Sequence, residues 1–141
     1  MWGDILSSEF NKFITSDVYD LAVATGITAS NRGVKRTQIE NIIGIFESES
    51  DPTSAVKITI AFVARQVGRK RRGEREGLDP SVGFKIIDDL KNILNKFKGN
   101  ELRVAARRYL YLVKWFFESG VKGKIQNFSS FVDQFLSHYK R

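Results

Sequence analysis

Apolar side chains recur at three- and four-residue steps along most of this chain, the spacing that places them on one face of an α-helix. The first such stripe runs from Asp4 to about Ala24 and comprises Leu6, Phe10, Phe13, Ile14, Val18 and Leu21. Thr25–Arg36 then interrupts the pattern with Gly, Ser, Thr and Asn, and this composition predicts a loop. The periodicity favours an all-α fold, built as a single-domain bundle of about five to six helices.

Three helix starts carry local signals. Thr37-Gln38-Ile39-Glu40 has the spacing of a capping box, in which the first and fourth side chains bind backbone amides reciprocally. The two prolines, Pro52 and Pro80, each follow an aspartate. Asp is a favoured N-cap residue, and proline suits the first helical position because its missing N–H has no partner inside the helix. Each Asp–Pro pair therefore predicts a helix start.

The second Asp–Pro pair opens the most regular stripe, with Gly99 as a candidate C-terminal cap. Its apolar positions are Val82, Ile86, Ile87, Leu90, Ile93, Leu94 and Phe97. Another helix is predicted from about Glu101 to Ser119, and a last one follows Asn127, whose side chain can cap it. We expect residues 1–124 to form one helical domain, with residues 125–141 as a C-terminal helical extension packed on it.

Residues 55–63 fit two structures. Val56, Ile58, Ile60 and Phe62 alternate with smaller or polar residues, as in a half-buried strand. The helical alternative places Val56, Thr59, Ile60, Val63 and Val67 on one face. No second segment offers a partner strand, and an isolated strand would leave its backbone groups unpaired. We therefore predict a helix here.

The net charge of +7 is unevenly distributed. Residues 1–62 hold five basic and eight acidic residues, whereas residues 63–75 hold six basic residues and one acidic residue. Residues 76–141 hold twelve basic and seven acidic residues. This asymmetry favours an anionic partner for the basic part of the chain, and the alternative is a solvated surface of mixed charge.

Residues that enzymes and cofactor sites depend on are scarce. The chain has no cysteine, which excludes disulfides, Cys-ligated zinc and thiol catalysis. His138 is the single histidine and cannot build a metal triad alone. Asp88 and Asp89 diverge by about 100° on a helix, so they cannot share a proton, and we predict that they are solvated surface charges. We expect no enzymatic activity, no cofactor, no metal and no small-molecule substrate.

Nothing in the sequence indicates a membrane or secretory role. No apolar run approaches the roughly 18 residues that span a bilayer. Met1-Trp2-Gly3-Asp4 lacks the basic region and long apolar stretch that begin a signal peptide. We therefore expect a soluble, cytoplasmic protein with no membrane contact.

The most specific binding feature is a basic cluster of six cations within eleven residues: Arg65, Arg69, Lys70, Arg71, Arg72 and Arg75. Arginine suits phosphates because its planar fork donates two parallel hydrogen bonds. The alternative is a solvated helix end, with cations near the negative end of the helix dipole.

A second group, the basic stripe, follows at helical spacing: Arg103, Arg107, Arg108 and Lys114. We predict nucleic-acid binding by the stripe, by Lys57 and by the first five cluster residues, Arg65, Arg69, Lys70, Arg71 and Arg72. No helix-turn-helix, RRM or zinc-finger motif occurs, so the expected mode is backbone recognition with little sequence preference.

Three segments also match motifs of one known family. Thr37–Ile43 is similar to a helix start with Thr or Ser followed by Gln-Ile, and Val67-Gly68-Arg69 is similar to the close of a long helix. Tyr109–Phe117 is similar to a late aromatic helix that is followed by glycine. Together, over roughly residues 15–120, the chain resembles the Csm-type small subunit of type III CRISPR effector complexes.

This resemblance implies a non-catalytic, RNA-backbone-binding subunit of a ribonucleoprotein complex that acts in antiviral defence. The subunit would assemble with further copies of itself and with other effector subunits, and its basic face would hold target RNA paired to the guide RNA. Arg69 carries over directly from the family motif. The residues that carry over by proximity are Lys57, Arg65, Lys70 and Arg71. Glu40 and Arg65 depart from the family pattern, in which a basic and an aromatic residue are common.

Two other functions remain open from the sequence. One is a helical DNA-binding protein of architectural or regulatory type. The other is a protein-interaction module whose basic face binds an acidic partner without any nucleic acid.

Overall fold

Six α-helices and no β-strand occupy residues 8–139, the part of the chain that the computed structural model describes. The helices are α1 (Val18–Asn31), α2 (Arg36–Glu47), α3 (Pro52–Arg71), α4 (Pro80–Lys96), α5 (Gly99–Glu118) and α6 (Phe128–Tyr139). Residues 8–12 are helical as well, and a π-helical stretch, Phe13–Asp17, connects them to α1. The prediction of an all-α bundle of five to six helices is confirmed. The predicted helix start at Asp4, with Leu6, lies outside the described residues.

Both Asp–Pro pairs begin helices as predicted. Oδ2 of Asp51 accepts a hydrogen bond from the Ser54 amide at 2.8 Å, and Oδ1 of Asp79 accepts one from the Ser81 amide at 2.9 Å. Proline occupies the first turn in each case. Residues 55–63 are helical, because they continue the turn that Asp51 starts.

The predicted loop over Thr25–Arg36 is wrong for its first seven residues, because α1 continues to Asn31. Gly26 lies where α1 meets α5, and a Cβ built on it would stand 2.8 Å from the Phe116 Cβ atom. Thr25 is fully buried beside it. The small and polar residues that suggested a loop therefore serve close helix packing.

Two predicted caps are also displaced. At the start of α2, the Gln38 side chain accepts from the Lys35 amide at 3.0 Å, so the predicted Thr37–Glu40 box does not form. Glu40 instead pairs with Arg36 at 3.2 Å. Gly99 does not cap α4, which ends at Lys96; with a φ of 56° it begins α5.

The core lies where α1 and α5 pack along each other, with α3 packed between α2 and α4. Its fully buried side chains include Val18, Phe46, Val56, Leu90 and Tyr109. The apolar stripes that the sequence predicted for these helices are the faces that point inward.

A buried polar network ties three helices together within this core. Oδ2 of Asp89 on α4 accepts from the Tyr109 hydroxyl of α5 at 2.6 Å and from the Thr25 hydroxyl of α1 at 2.9 Å. Burial raises the pKa of Asp89, while the two hydrogen bonds act in the opposite direction. The prediction that Asp89 is a solvated surface charge is therefore wrong, whereas Asp88 is exposed.

The last helix lies on the surface formed by α1 and α5. Oδ1 of Asn127 accepts from the Ser130 amide at 2.8 Å, the predicted cap. Phe131 packs edge-on against Phe116 with ring centroids 4.8 Å apart, and Phe128 packs against Tyr19 at 5.5 Å. No residue of α6 is fully buried, so this helix is held by these aromatic contacts and by the Phe128 amide, which donates to Oδ1 of Asp20 at 2.8 Å.

Candidate nucleic-acid interface

The basic cluster lies at the C-terminal end of α3 and on the loop that follows it. Arg69, Lys70 and Arg71 occupy the last turn of the helix, where cations offset the negative end of the helix dipole. Gly73, with a φ of 85°, follows the helix end and turns the chain in a conformation that favours glycine. The cluster therefore begins on a regular helix and continues on a turn.

That loop folds back tightly on α3. The Leu78 amide donates to the Gln66 carbonyl at 2.9 Å, and the Leu78 side chain is buried. A Cβ built on Gly77 would stand 2.1 Å from the Lys70 backbone nitrogen, so only glycine permits this approach. The loop is thus packed closely against the helix end, and it carries Arg75 with it.

Arg69 holds this loop in place. Its Nε donates to Glu74 at 2.9 Å and its Nη2 to Glu76 at 3.3 Å, and its side chain is 20% exposed. The hydrogen bond from Arg69 lowers the pKa of Glu74, which keeps that carboxylate charged near neutral pH. Arg72 also pairs with Glu74, at 3.3 Å. Two of the predicted RNA-binding arginines therefore have carboxylate partners inside the protein.

Five exposed cations on α3 and its loop form no ion pair within the described part of the chain. They are Lys57, Arg65, Lys70, Arg71 and Arg75. Arg65 contacts only the neutral side-chain oxygen of Gln66, at 3.4 Å. Because no carboxylate of residues 8–139 pairs with them, these side chains can offer their charge and most of their donors to an external anion.

A polar cleft of about 340 Å³ separates the start of α2 from the end of α3. It is lined by Lys35, Thr37, Gln38, Asn41, Phe62, Arg65, Gln66, Arg69, Arg75 and Glu76. At the bottom of the cleft, the Gln38 side chain donates to the Gly77 carbonyl at 2.8 Å and so joins α2 to the loop after α3. The cleft brings Lys35, the residue before α2, together with Arg65, Arg69 and Arg75.

Sequence reasoning missed the contribution of α2 to this cleft. Lys35, Thr37 and Asn41 carry no binding motif, and nothing local indicates that the start of α2 meets the end of α3. Arg75 belonged to the charge run but not to the predicted contact set. Lys57, by contrast, does not line the cleft and lies more than three turns before the end of α3.

The basic stripe on α5 makes contacts inside the protein. Arg107 pairs with Glu47 at 3.0 Å, and Lys114 pairs with Glu40 at 3.5 Å. Both carboxylates belong to α2, so these pairs join α5 to α2. Arg107 and Lys114, whose spacing predicted a nucleic-acid face, therefore also hold two helices together.

The other two arginines of the stripe bind backbone carbonyls. Arg103 donates to Glu49 at 2.9 Å and also to Ser50, in the turn after α2, and its guanidinium lies 5.7 Å from the Phe46 ring centre. Arg108 donates to the Ile14 carbonyl of the π-helical stretch at 2.9 Å. Since carbonyls are neutral, both arginines keep their positive charge although some of their donors are occupied.

The cluster and the stripe are thus separate positive regions with α2 between them. One side of α2 lines the cleft with α3, and its carboxylates pair with α5.

Neither region includes a metal-binding arrangement: in residues 8–139, no three His, Asp or Glu side chains are grouped so as to hold an ion. Across the same residues, no helix combines the length and apolar character needed to cross a membrane.

The fold and this site together define a small all-helical protein with a cationic cleft at one helix end. Comparison of the chain with family models, with curated proteins and with solved structures finds no significant match. The charges and contacts of the site are therefore the basis for its proposed function.

Proposed function

We propose that this protein is a non-catalytic, RNA-backbone-binding small subunit of a type III CRISPR ribonucleoprotein effector, where it helps to hold guide-paired target RNA. The observation that carries the proposal is the group of five exposed cations on α3 and its loop that form no ion pair with any residue of 8–139. Assembly with other effector subunits and with further copies of the chain rests on the sequence resemblance.

The chemistry of the cleft supports a phosphate backbone as the ligand. Phosphates need several donors at fixed positions and favour planar guanidinium groups. Arg65 and Arg75 line one cleft with Lys35, and the hydroxyl of Thr37 and the amide of Asn41 add neutral polar groups. None of these groups is arranged as a base-reading motif, which fits recognition of the backbone with little sequence preference.

A salt series tests the proposal. Each neutralised phosphate contributes roughly −0.7 to the log–log slope of affinity against salt for single strands, and about −0.9 for duplexes. Changing Lys70, Arg71 and Arg75 together to Ala should weaken binding to guide–target RNA duplex at low salt. It should also make the slope shallower by about 2 to 3 units, if all three contact phosphates.

A matched control removes the same charge elsewhere. Lys91, Lys96 and Lys122 are exposed, form no ion pair among the described residues and lie outside the cluster. Their triple Ala variant lowers the net charge equally, so it should weaken binding much less. Equal losses in the two triple variants would overturn the assignment of the cluster.

Competition experiments decide among the alternatives. A preference for duplex DNA over RNA would replace the proposal with a helical DNA-binding protein of architectural or regulatory type. Retention of neither nucleic acid, together with a stable protein partner, would indicate a protein-interaction module.

A further inference from the structure

Trp115 is the most exposed large apolar side chain in the part of the chain that the structure describes. It is 60% exposed on α5, between the buried positions Val113 and Phe116. Burial of an aromatic ring of this size is strongly favourable, and tryptophan is enriched where a partner covers one of its faces. An exposed Trp on an otherwise well-packed helix is therefore a candidate contact for a binding partner.

Trp115 stands in an open groove of about 480 Å³ between α1 and α5. The groove is lined chiefly by Tyr19, Val104, Arg107, Arg108, Tyr111 and Trp115. The rings of Tyr111 and Trp115 are 6.4 Å apart between centroids and are tilted by 59°. Two aromatic rings therefore lie side by side next to two guanidinium groups.

The groove is positively charged as well as aromatic. Arg108 keeps its full charge because its partner is the neutral Ile14 carbonyl. Arg107 pairs with Glu47, but its side chain remains 44% exposed. A π-face beside cations is complementary to a nucleotide, whose base stacks and whose phosphate is anionic.

Ion pairs connect the part of α5 beside the groove to α2, the helix whose start lines the cleft. Lys114 and Glu118, which flank Trp115 on α5, pair with Glu40 and Arg36 in the first turns of α2. Those same turns line the cleft beside α3. Trp115 therefore lies on the stretch of α5 that contacts the N-terminal half of α2, the helix whose start lines the cleft.

We propose that Trp115, with Tyr111, forms a base-stacking platform for an unpaired nucleotide of the bound RNA. This inference rests on the proposed RNA-binding function and extends it. The cationic cleft binds the backbone, and the platform takes one base that is outside the duplex. Base recognition here is by stacking, so it tolerates any base.

Three variants test the platform against single-stranded RNA. Trp115→Ala should weaken binding by between about 5-fold and 150-fold, the equivalent of roughly 1–3 kcal/mol for one stacked base. Trp115→Phe keeps a stacking ring and should remain within a few-fold of the unchanged protein. Phe84→Ala removes a ring that is 56% exposed on α4, away from the groove, and should have no effect. Both positions are exposed, so folding should be preserved in all three variants.

Two further measurements separate stacking from charge. Trp115→Ala removes no phosphate contact, so its salt slope should equal that of the unchanged protein. The chain has two tryptophans, and a Trp2→Phe variant leaves Trp115 as the single reporter. Its fluorescence should be quenched when single-stranded RNA binds, and much less when a blunt RNA duplex binds.

Each outcome bears on a different claim. Equal affinities for Trp115→Ala and Phe84→Ala, while the Lys70, Arg71 and Arg75 variant still binds more weakly, would overturn the platform and leave the proposed function standing. Absence of RNA binding by the unchanged protein would overturn both. A change in sedimentation of Trp115→Ala without a change in RNA affinity would make this face a protein interface and also overturn the platform.

Discussion

Gly26→Ala and Gly44→Ala are the same chemical change in two helices, and the structure predicts opposite effects on stability. A Cβ on Gly26 would stand 2.8 Å from both the Phe116 Cβ atom and the Val113 carbonyl oxygen. Backbone atoms cannot rotate away, so α1 and α5 would have to separate. A Cβ on Gly44, in the middle of α2, would meet no atom within 4 Å.

The magnitudes follow from two opposing effects. Alanine is favoured over glycine in a helix interior by roughly 0.5–1 kcal/mol, and this is the whole effect expected for Gly44→Ala. Overpacking a well-filled contact costs about 1–3 kcal/mol. Gly26→Ala should therefore lower the free energy of unfolding by roughly 0.5–2 kcal/mol, while Gly44→Ala raises it.

Urea unfolding and thermal unfolding, both followed by far-UV circular dichroism, measure the two changes. For a chain of this length, each kcal/mol corresponds to a shift in Tm on the order of 4 °C. Gly26→Ala should thus melt several degrees lower and Gly44→Ala a few degrees higher. Stabilisation by both substitutions would refute the close contact of α1 with α5. Since Tyr19 of α1 and Trp115 of α5 line the same groove, the same separation would also widen the proposed stacking site.

Three further predictions concern the core, a cap and the last helix. Because burial raises the pKa of Asp89, the folded protein holds this proton above the pH at which the unfolded chain releases it. The free energy of unfolding should therefore fall as the pH rises through the pKa of Asp89 in the folded protein. Asp89→Asn lacks this titration, so it should not show that fall when both proteins are unfolded in urea from about pH 4 to about pH 8. Parallel profiles for the two proteins would contradict this prediction. Asp79→Ala removes the acceptor of the Ser81 amide and the partner of Arg32, and it should lower the unfolding free energy by about 1 kcal/mol or more. No loss in the same assay would show that both contacts are dispensable. Phe131→Ala removes the packing on Phe116, so amide hydrogens of α6 should exchange faster while global unfolding changes little; unchanged exchange would mean that other contacts hold the helix.

The parts of the fold that the sequence predicts correctly are those that local chemistry decides. Asp51 and Asp79 bind the amides of the turn that each begins, so each cap forms within one turn of the chain. Gly26 and Thr25 show the opposite case. Their residue types suggest a loop, but the contact with α5 keeps them helical, and no signal within the segment indicates that contact.

The buried network and the cleft could not be predicted from the sequence, because both depend on contacts between segments that are distant in the chain. Asp89 looks like Asp88 in the sequence, and only the positions of Tyr109 and Thr25, 20 and 64 residues away, make it an interior acceptor. The cleft likewise depends on how α2 meets α3. Charge density predicted which segment carries cations, but not which neighbours surround them.

The ion pairs at the end of α3 decide which cations should be changed to test the site. Arg69 is the position that the family motif singles out, yet its donors are occupied by Glu74 and Glu76. Arg69→Ala would remove the ion pair of Glu76 beside the cleft and leave Glu74 with Arg72 alone, which would loosen the loop that carries Arg75. RNA binding would then fall even if Arg69 never touches a phosphate. Lys70 and Arg71 have no such partners in the described residues, so loss of binding on their replacement reports on direct contact.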